Sequence, residues 1–171
     1  MFNSPYPYKY KFSKKVIFDT IEYTEFIYTF WGKGNEKYIV KVEKYIHNLL
    51  ILKFYPKKYA DSKSKYQLRT NCHDVFRILA TCLAVMVEMY EQDNSISFGF
   101  MGANFEGEDM FKNKRFRVYL KMIKRLFSDE KFEYYEYPDD SCFMMLNRKH
   151  EKLDAIQNDI EILFQAMQNN N

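Results

Sequence analysis

Residues 112–127 carry seven cations and no acid: Lys112, Lys114, Arg115, Arg117, Lys121, Lys124 and Arg125. Phe116, Tyr119, Leu120, Ile123 and Phe127 interleave with them at helical spacing. The pattern predicts an amphipathic helix from Lys112 to Phe127 with one buried stripe. Lys114, Arg117, Lys121 and Lys124 recur at intervals of three and four, so they share a face. Such a face neutralises phosphates, with affinity that falls as salt rises, or meets an acidic patch on a protein. It also reads as an ordinary solvated surface. Its charge would then be balanced by Glu106, Glu108 and Asp109 just before it, or by Glu151, Asp154, Asp159 and Glu161 near the C-terminus.

A second candidate surface is aromatic. In a strand over Phe132 to Tyr137, alternation puts Tyr135 and Tyr137 on one face and Tyr134 on the other. Arg115, Arg117, Lys121, Lys124, Tyr135 and Tyr137 are therefore the candidate partner- or anion-binding residues. Tyr6, Tyr8 and Tyr10 alternate with Lys9 and Lys11, the ingredients of a base-stacking sheet face. Packing in a half-buried strand is the default explanation of both rows. Tyr, Phe, Lys, Asn and Ile are abundant together, a bias that AT-rich coding DNA also produces.

Catalytic signatures are weak. Cys72-His73-Asp74 holds three reactive residue types in a row, but neighbours on a helix point about 100° apart, so thiol and base would not face each other. His47, His73 and His150 are scattered, and no HxxxH, HExxH or CxxC spacing occurs. No glycine-rich phosphate loop is present. Asp139 and Asp140 sit in a turn that favours Asp for local hydrogen bonding. The expectation is a protein that is not an enzyme and holds no metal or cofactor. The competing enzyme hypothesis places a site near Gly102, Glu106 and Arg115.

The elements that position these residues follow from periodicity. Tyr8, Tyr10 and Phe12 alternate with lysines as a strand. Val16 and Phe18 begin a second strand, and a bulge or short turn falls near Thr20 to Glu25. Phe26, Tyr28 and Phe30 lead to the turn Gly32-Lys33-Gly34-Asn35, and Tyr38 to Val42 complete a hairpin. Leu50, Leu52 and Phe54 form a strand ended by Pro56, and Lys57 to Lys65 is a loop. Asn71 caps a helix that runs to about Gln92 and is apolar on most faces, as a central helix is. Ile96, Phe98 and Phe100 form a strand. Phe132 to Tyr137 and Cys142 to Leu146 form a hairpin, and Leu153, Ile156, Ile160, Leu163 and Met167 mark a last amphipathic helix. The fold class is α+β: a largely antiparallel sheet with about three helices packed on one face. No linker divides the chain, so residues 1–171 read as one domain, with N-terminal strands over 6–55 and the helix–strand–helix–hairpin–helix part over 70–168.

Net charge is +3, too mild to specify nucleic acid or membrane. The three cysteines are odd in number and widely spaced, as free thiols in a reducing compartment are. The N-terminus lacks a signal-peptide pattern, and the longest apolar run, Ile78 to Val87 around Thr81, is far short of the ~20 residues that span a bilayer. The expected location is the cytoplasm, with no membrane partner.

A resemblance adds to this. An Asn-containing helix start, Asn71-Cys72-His73-Asp74-Val75, leads to Ile78-Leu79-Ala80-Thr81. A strand over Ile96 to Phe100, the turn Gly102-Ala103, and Arg115-Phe116-Arg117-Val118-Tyr119 follow, then a hairpin and a helix with Phe164. Over residues 66–166 this resembles small bacterial and mobile-element proteins grouped only as a domain of unknown function. The chain departs from them in a longer, acidic loop between Gly102 and Arg115. The resemblance implies a small α+β domain and, by analogy, a place in toxin–antitoxin, immunity or phage–host conflict modules. The leading functional expectation is a protein-binding module of that kind: an inhibitor, antitoxin or immunity factor. The alternative is nucleic-acid binding through the basic helix. A homodimer interface on the sheet or last helix is compatible with the aromatic content.

Overall fold

The structure, a computed structural model, describes residues 4–66, 74–101 and 114–169. The strands are β1 (Tyr8–Phe18), β2 (Ile21–Trp31), β3 (Lys37–Lys44), β4 (Leu49–Pro56), β5 (Ser97–Met101), β6 (Phe132–Tyr137) and β7 (Cys142–Asn147). The helices are α1 (Val75–Gln92), α2 (Lys114–Leu126) and α3 (Leu153–Asn169). The described strands form one sheet in the order β1-β2-β3-β4-β5-β7-β6. Every neighbouring pair is antiparallel except β4 and β5, which are parallel. The architecture is α+β, as the periodicities predict.

The first four strands form a meander joined by short turns. Asp19 and Thr20 close the first, with Asp19 at φ 56°. Gly34 takes φ 70° in the second, and His47 and Asn48 take φ 56° and 57° in the third. The short turn at Asp19 and Thr20 falls where one is expected, but Val16 and Phe18 belong to β1 and do not begin a second strand, and the hairpin's bulge lies in β1 itself. The register shifts between Tyr10 and Phe12, so Lys11 is the extra residue. The shift moves Phe12 off the Tyr8–Tyr10 face, and it ends up half exposed. The unbroken Tyr8–Tyr10–Phe12 alternation read from the sequence is corrected accordingly.

The helices lie on both faces of the sheet, which corrects the single-face expectation. α1 and α2 cover the face bearing Phe30, Val40, Val42, Leu50, Phe98, Phe100, Phe143 and Met145. α3 covers the other, packing Ile156, Ile160, Leu163 and Phe164 against Leu49, Ile51, Cys142, Met144 and Leu146. The reason is topological. The β4–α1–β5 and β5–α2–β6 crossovers both join parallel strands and step the same way along the sheet. Right-handed connection therefore puts both helices on one side. That leaves the far side of β7 bare, yet all six of its residues are buried. A strand buried along its whole length needs cover on both faces, and α3 supplies the second. It comes close. A Cβ built on Gly99 would stand 2.9 Å from the Phe164 ring and 3.3 Å from Ile51.

Polar clamps hold the seam between the meander and the rest. Asp93, just after α1, accepts hydrogen bonds from Asn48 Nδ2 at 2.7 Å and from the Ser95 hydroxyl and N–H at 2.6 and 3.0 Å. Buried Asn147 donates to the carbonyls of Asn94 and Ile96 at 2.8 and 3.0 Å. The N-terminal segment is pinned on the opposite side of α1. The Tyr6 N–H donates to Thr81 Oγ1 at 2.9 Å, and the Tyr6 ring is sandwiched between Arg77 and Phe30.

Two outcomes follow. Gly99→Ala forces the buried Phe164 ring to move and costs about 1–3 kcal/mol in urea unfolding. The Ser95 and Asn48 hydrogen bonds hold the Asp93 carboxyl at about 2, below its ordinary 3.8. A depressed folded-state pKa contributes stability that is whole above about pH 4 and is lost as pH falls toward 2. Asp93→Asn, lacking that carboxylate, loses less stability than the parent across this window in stepped-pH unfolding.

Candidate functional site

The basic helix forms much as its periodicity predicts. Val118, Tyr119, Met122 and Ile123 face the core, while Arg117, Lys121 and Lys124 point to solvent. Lys124 is engaged: its Nζ lies 2.6 Å from Glu136 Oε1 and 5.5 Å from the centre of the Tyr134 ring. No described residue pairs with Arg117 or Lys121. Arg115 lies in the first turn of α2, with its side chain outside what the structure describes. Lys112, Cys72, His73, Asn71, Gly102 and Glu106 are likewise outside the described residues. Asp74, which is described, precedes α1 without a side-chain capping bond. The C-terminal acids cannot balance α2, because α3 is on the opposite face of the sheet.

The same geometry separates the two halves of the candidate site. Tyr135 and Tyr137 pack on the α3 side, across the sheet from Arg117, Lys121 and Lys124. Tyr135 donates to Glu133 Oε1 at 2.8 Å, and Tyr137 donates to Glu161 and accepts from Gln157. Burial and then the Glu133 hydrogen bond push the Tyr135 phenol up to about 12. These rings anchor α3 to β6. In the N-terminal row, Tyr6 is buried in its stack and the Tyr8 hydroxyl donates to Glu88 at 2.7 Å. Tyr10 alone of the three is widely exposed.

Two constellations were not legible in the sequence. The first is a buried carboxylate pair on the α3-facing side of the meander. Glu25 and Glu43 stand directly opposite each other on β2 and β3, each 4% exposed. Lys41 meets Glu25 at 2.9 Å and Lys14 meets it at 3.4 Å. Lys53 meets Glu43 at 2.8 Å, and Tyr45 donates to Glu43 at 2.7 Å. Burial raises the Glu25 carboxyl, but Lys41 and Lys14 outweigh it and hold the group below its ordinary range. The Tyr23 phenol beside them is pushed up to about 12 by burial and by both carboxylates. This is a satisfied network, and it ties four strands, β1 to β4, together.

The second is a cleft. β4 and β5 pair only at Leu49–Ser97, Leu50–Phe98 and Ile51–Gly99. Beyond those pairs β4 runs on beside β3, and β5 runs on beside β7, so the parallel strands part at their C-terminal ends. On the α1–α2 side the gap opens over Leu52, Phe54 and Phe100, between Leu83 and Met86 of α1 and Tyr119 and Met122 of α2. It is a shallow cleft of about 30 Å³ that opens to solvent. Its lining is almost wholly apolar. Cys82, on the α1 wall, is fully buried and its thiol is pushed well up by desolvation, which makes it a poor nucleophile. Past those three pairs, no described strand pairs with the facing edges of β4 and β5 in the gap.

Among the described residues, no group of three or more His, Cys, Asp or Glu could hold a metal ion, and no helix is long and apolar enough to cross a membrane. Comparison with known proteins returns no matching family model, no matching curated protein and no matching solved structure.

The charged groups differ sharply in structural weight. Glu25→Ala strands Lys41 without its buried partner and costs about 3 kcal/mol. Lys124→Ala removes an exposed pair and costs at most about 1 kcal/mol. Urea unfolding of the two variants checks the contrast.

Proposed function

We propose that the protein binds a small, extended organic molecule in the cleft between β4 and β5. One observation carries this reading: the parallel pair holds for three residue pairs and then parts over an apolar floor. In open sheets with parallel strands, ligands characteristically sit outside the carboxyl ends of those strands. The lining sets the chemistry. Leu52, Phe54, Leu83 and Met86 favour an aliphatic chain. The parted strand edges favour amide groups along that chain, which lies beside β4 as an added strand would.

The test is a series of N-acyl glycinamides of rising chain length, followed by calorimetry. Affinity rises roughly three- to fourfold per methylene until the cleft is full. Leu83→Trp fills the cleft and removes binding while the circular dichroism spectrum is kept. Absence of saturable binding by every member of the series refutes the reading.

A second reading is docking on another protein, as an inhibitor, antitoxin, immunity or phage–host conflict factor would. β1 favours it. This strand lies at the edge of the sheet, and only Tyr8 and Val16 along it are even partly buried.

A further inference from the structure

We infer that β1 is an acceptor edge for an acidic, extended segment of another protein, which adds to the sheet as a further strand. This rests on the second reading above, protein docking, and names the partner's chemistry. β1 spans eleven residues, and no described strand pairs with its outer side. Such an edge presents a free row of backbone donors and acceptors, the template for strand addition.

The side chains select the occupant. β1 contains Lys9, Lys11, Lys14 and Lys15 and no acid. Lys14 is held by Glu25. Lys9, Lys11 and Lys15 are exposed, and no described residue pairs with them. Register places Lys9, Phe12 and Lys14 on the α3-facing side and Tyr10, Lys15 and Ile17 on the other, with Lys11 at the bulge. An incoming strand therefore meets cations on both faces between residues 9 and 15. Asp19 and Glu22 reverse the charge only at the hairpin tip.

Edge lysines also protect sheets from indiscriminate pairing, but protection does not account for the apolar groups beside them. Tyr10 and Phe12 are each 51% exposed, Phe18 55% and Ile17 74%. Cations flanked by bare aromatic and aliphatic groups fit a partner strand that alternates acids with apolar residues. A second copy of the chain fits poorly. Antiparallel pairing about a two-fold at Ser13 sets Lys11 of one copy opposite Lys15 of the other, twice over.

The test uses the intact protein and short fluorescent peptides that alternate Glu with Val, read by anisotropy. Control peptides carry Gln in place of Glu, or N-methyl groups at alternate residues. The acidic peptide binds, more weakly as salt rises. Its affinity falls about tenfold or more for Lys11→Glu/Lys15→Glu, and N-methylation abolishes binding by removing the ladder donors. Equal binding of the Gln peptide overturns the acidic assignment while leaving strand addition standing. Binding that survives N-methylation overturns strand addition. No binding by any peptide overturns both. Sedimentation of the parent as a dimer that the charge reversal disrupts assigns the edge to a second copy instead. Each readout on the parent protein is independent of how the variant folds.

Discussion

The fold hangs on a parallel seam three residues long. Leu49, Leu50 and Ile51 of β4 pair with Ser97, Phe98 and Gly99 of β5, and among the described strands this pairing joins the four-stranded meander to the C-terminal strands. A parallel pair cannot be closed by a tight turn, so the chain must cross over through α1. The seam is reinforced where it is weakest. Asp93 ties the turn before β4 to the turn before β5, and Asn147 caps two carbonyls at the start of β5. Gly99 lets α3 press Phe164 onto the seam from the other side.

From that seam come both the two-sided core and the cleft. Right-handed crossovers send α1 and α2 to one face, and β7, buried on both faces, then demands α3 on the other. Past Ile51 and Gly99 the two strands follow different neighbours, β3 and β7, so the gap is a consequence of strand order rather than of any one residue. The floor of the gap is apolar because Leu52, Phe54 and Phe100 continue the alternation that fills the core beneath α1 and α2. The opening and the core thus share one residue pattern.

Charge is distributed by a similar logic. The buried acids, Glu25 and Glu43, are neutralised within the sheet by lysines of β1, β3 and β4. Other cations have no acid beside them among the described residues, Lys9, Lys11 and Lys15 on the β1 edge and Arg117 and Lys121 on α2 among them. Whatever meets these surfaces meets positive charge over an accessible backbone edge in one case and over a helix in the other. The backbone edge adds directional hydrogen bonds that a bare charged helix lacks.

Local periodicity by itself determined most elements and the fold class. Period-two alternation marks Phe26 to Phe30 and Phe132 to Tyr137, and period-3.6 stripes mark α1, α2 and α3, because one buried face imposes its spacing on the residues that fill it. It also determined that Arg117, Lys121 and Lys124 share a solvent face. Register was decided only in the tertiary structure. A single bulge at Lys11 turns Phe12 to the opposite face, and β2–β3 pairing brings Glu25 beside Glu43 across eighteen residues of sequence. Strand order, likewise non-local, separates Tyr135 and Tyr137 from the basic helix and opens the cleft between β4 and β5. Pairing between distant segments depends on the summed burial of many residues, and no window of neighbouring residues contains that sum.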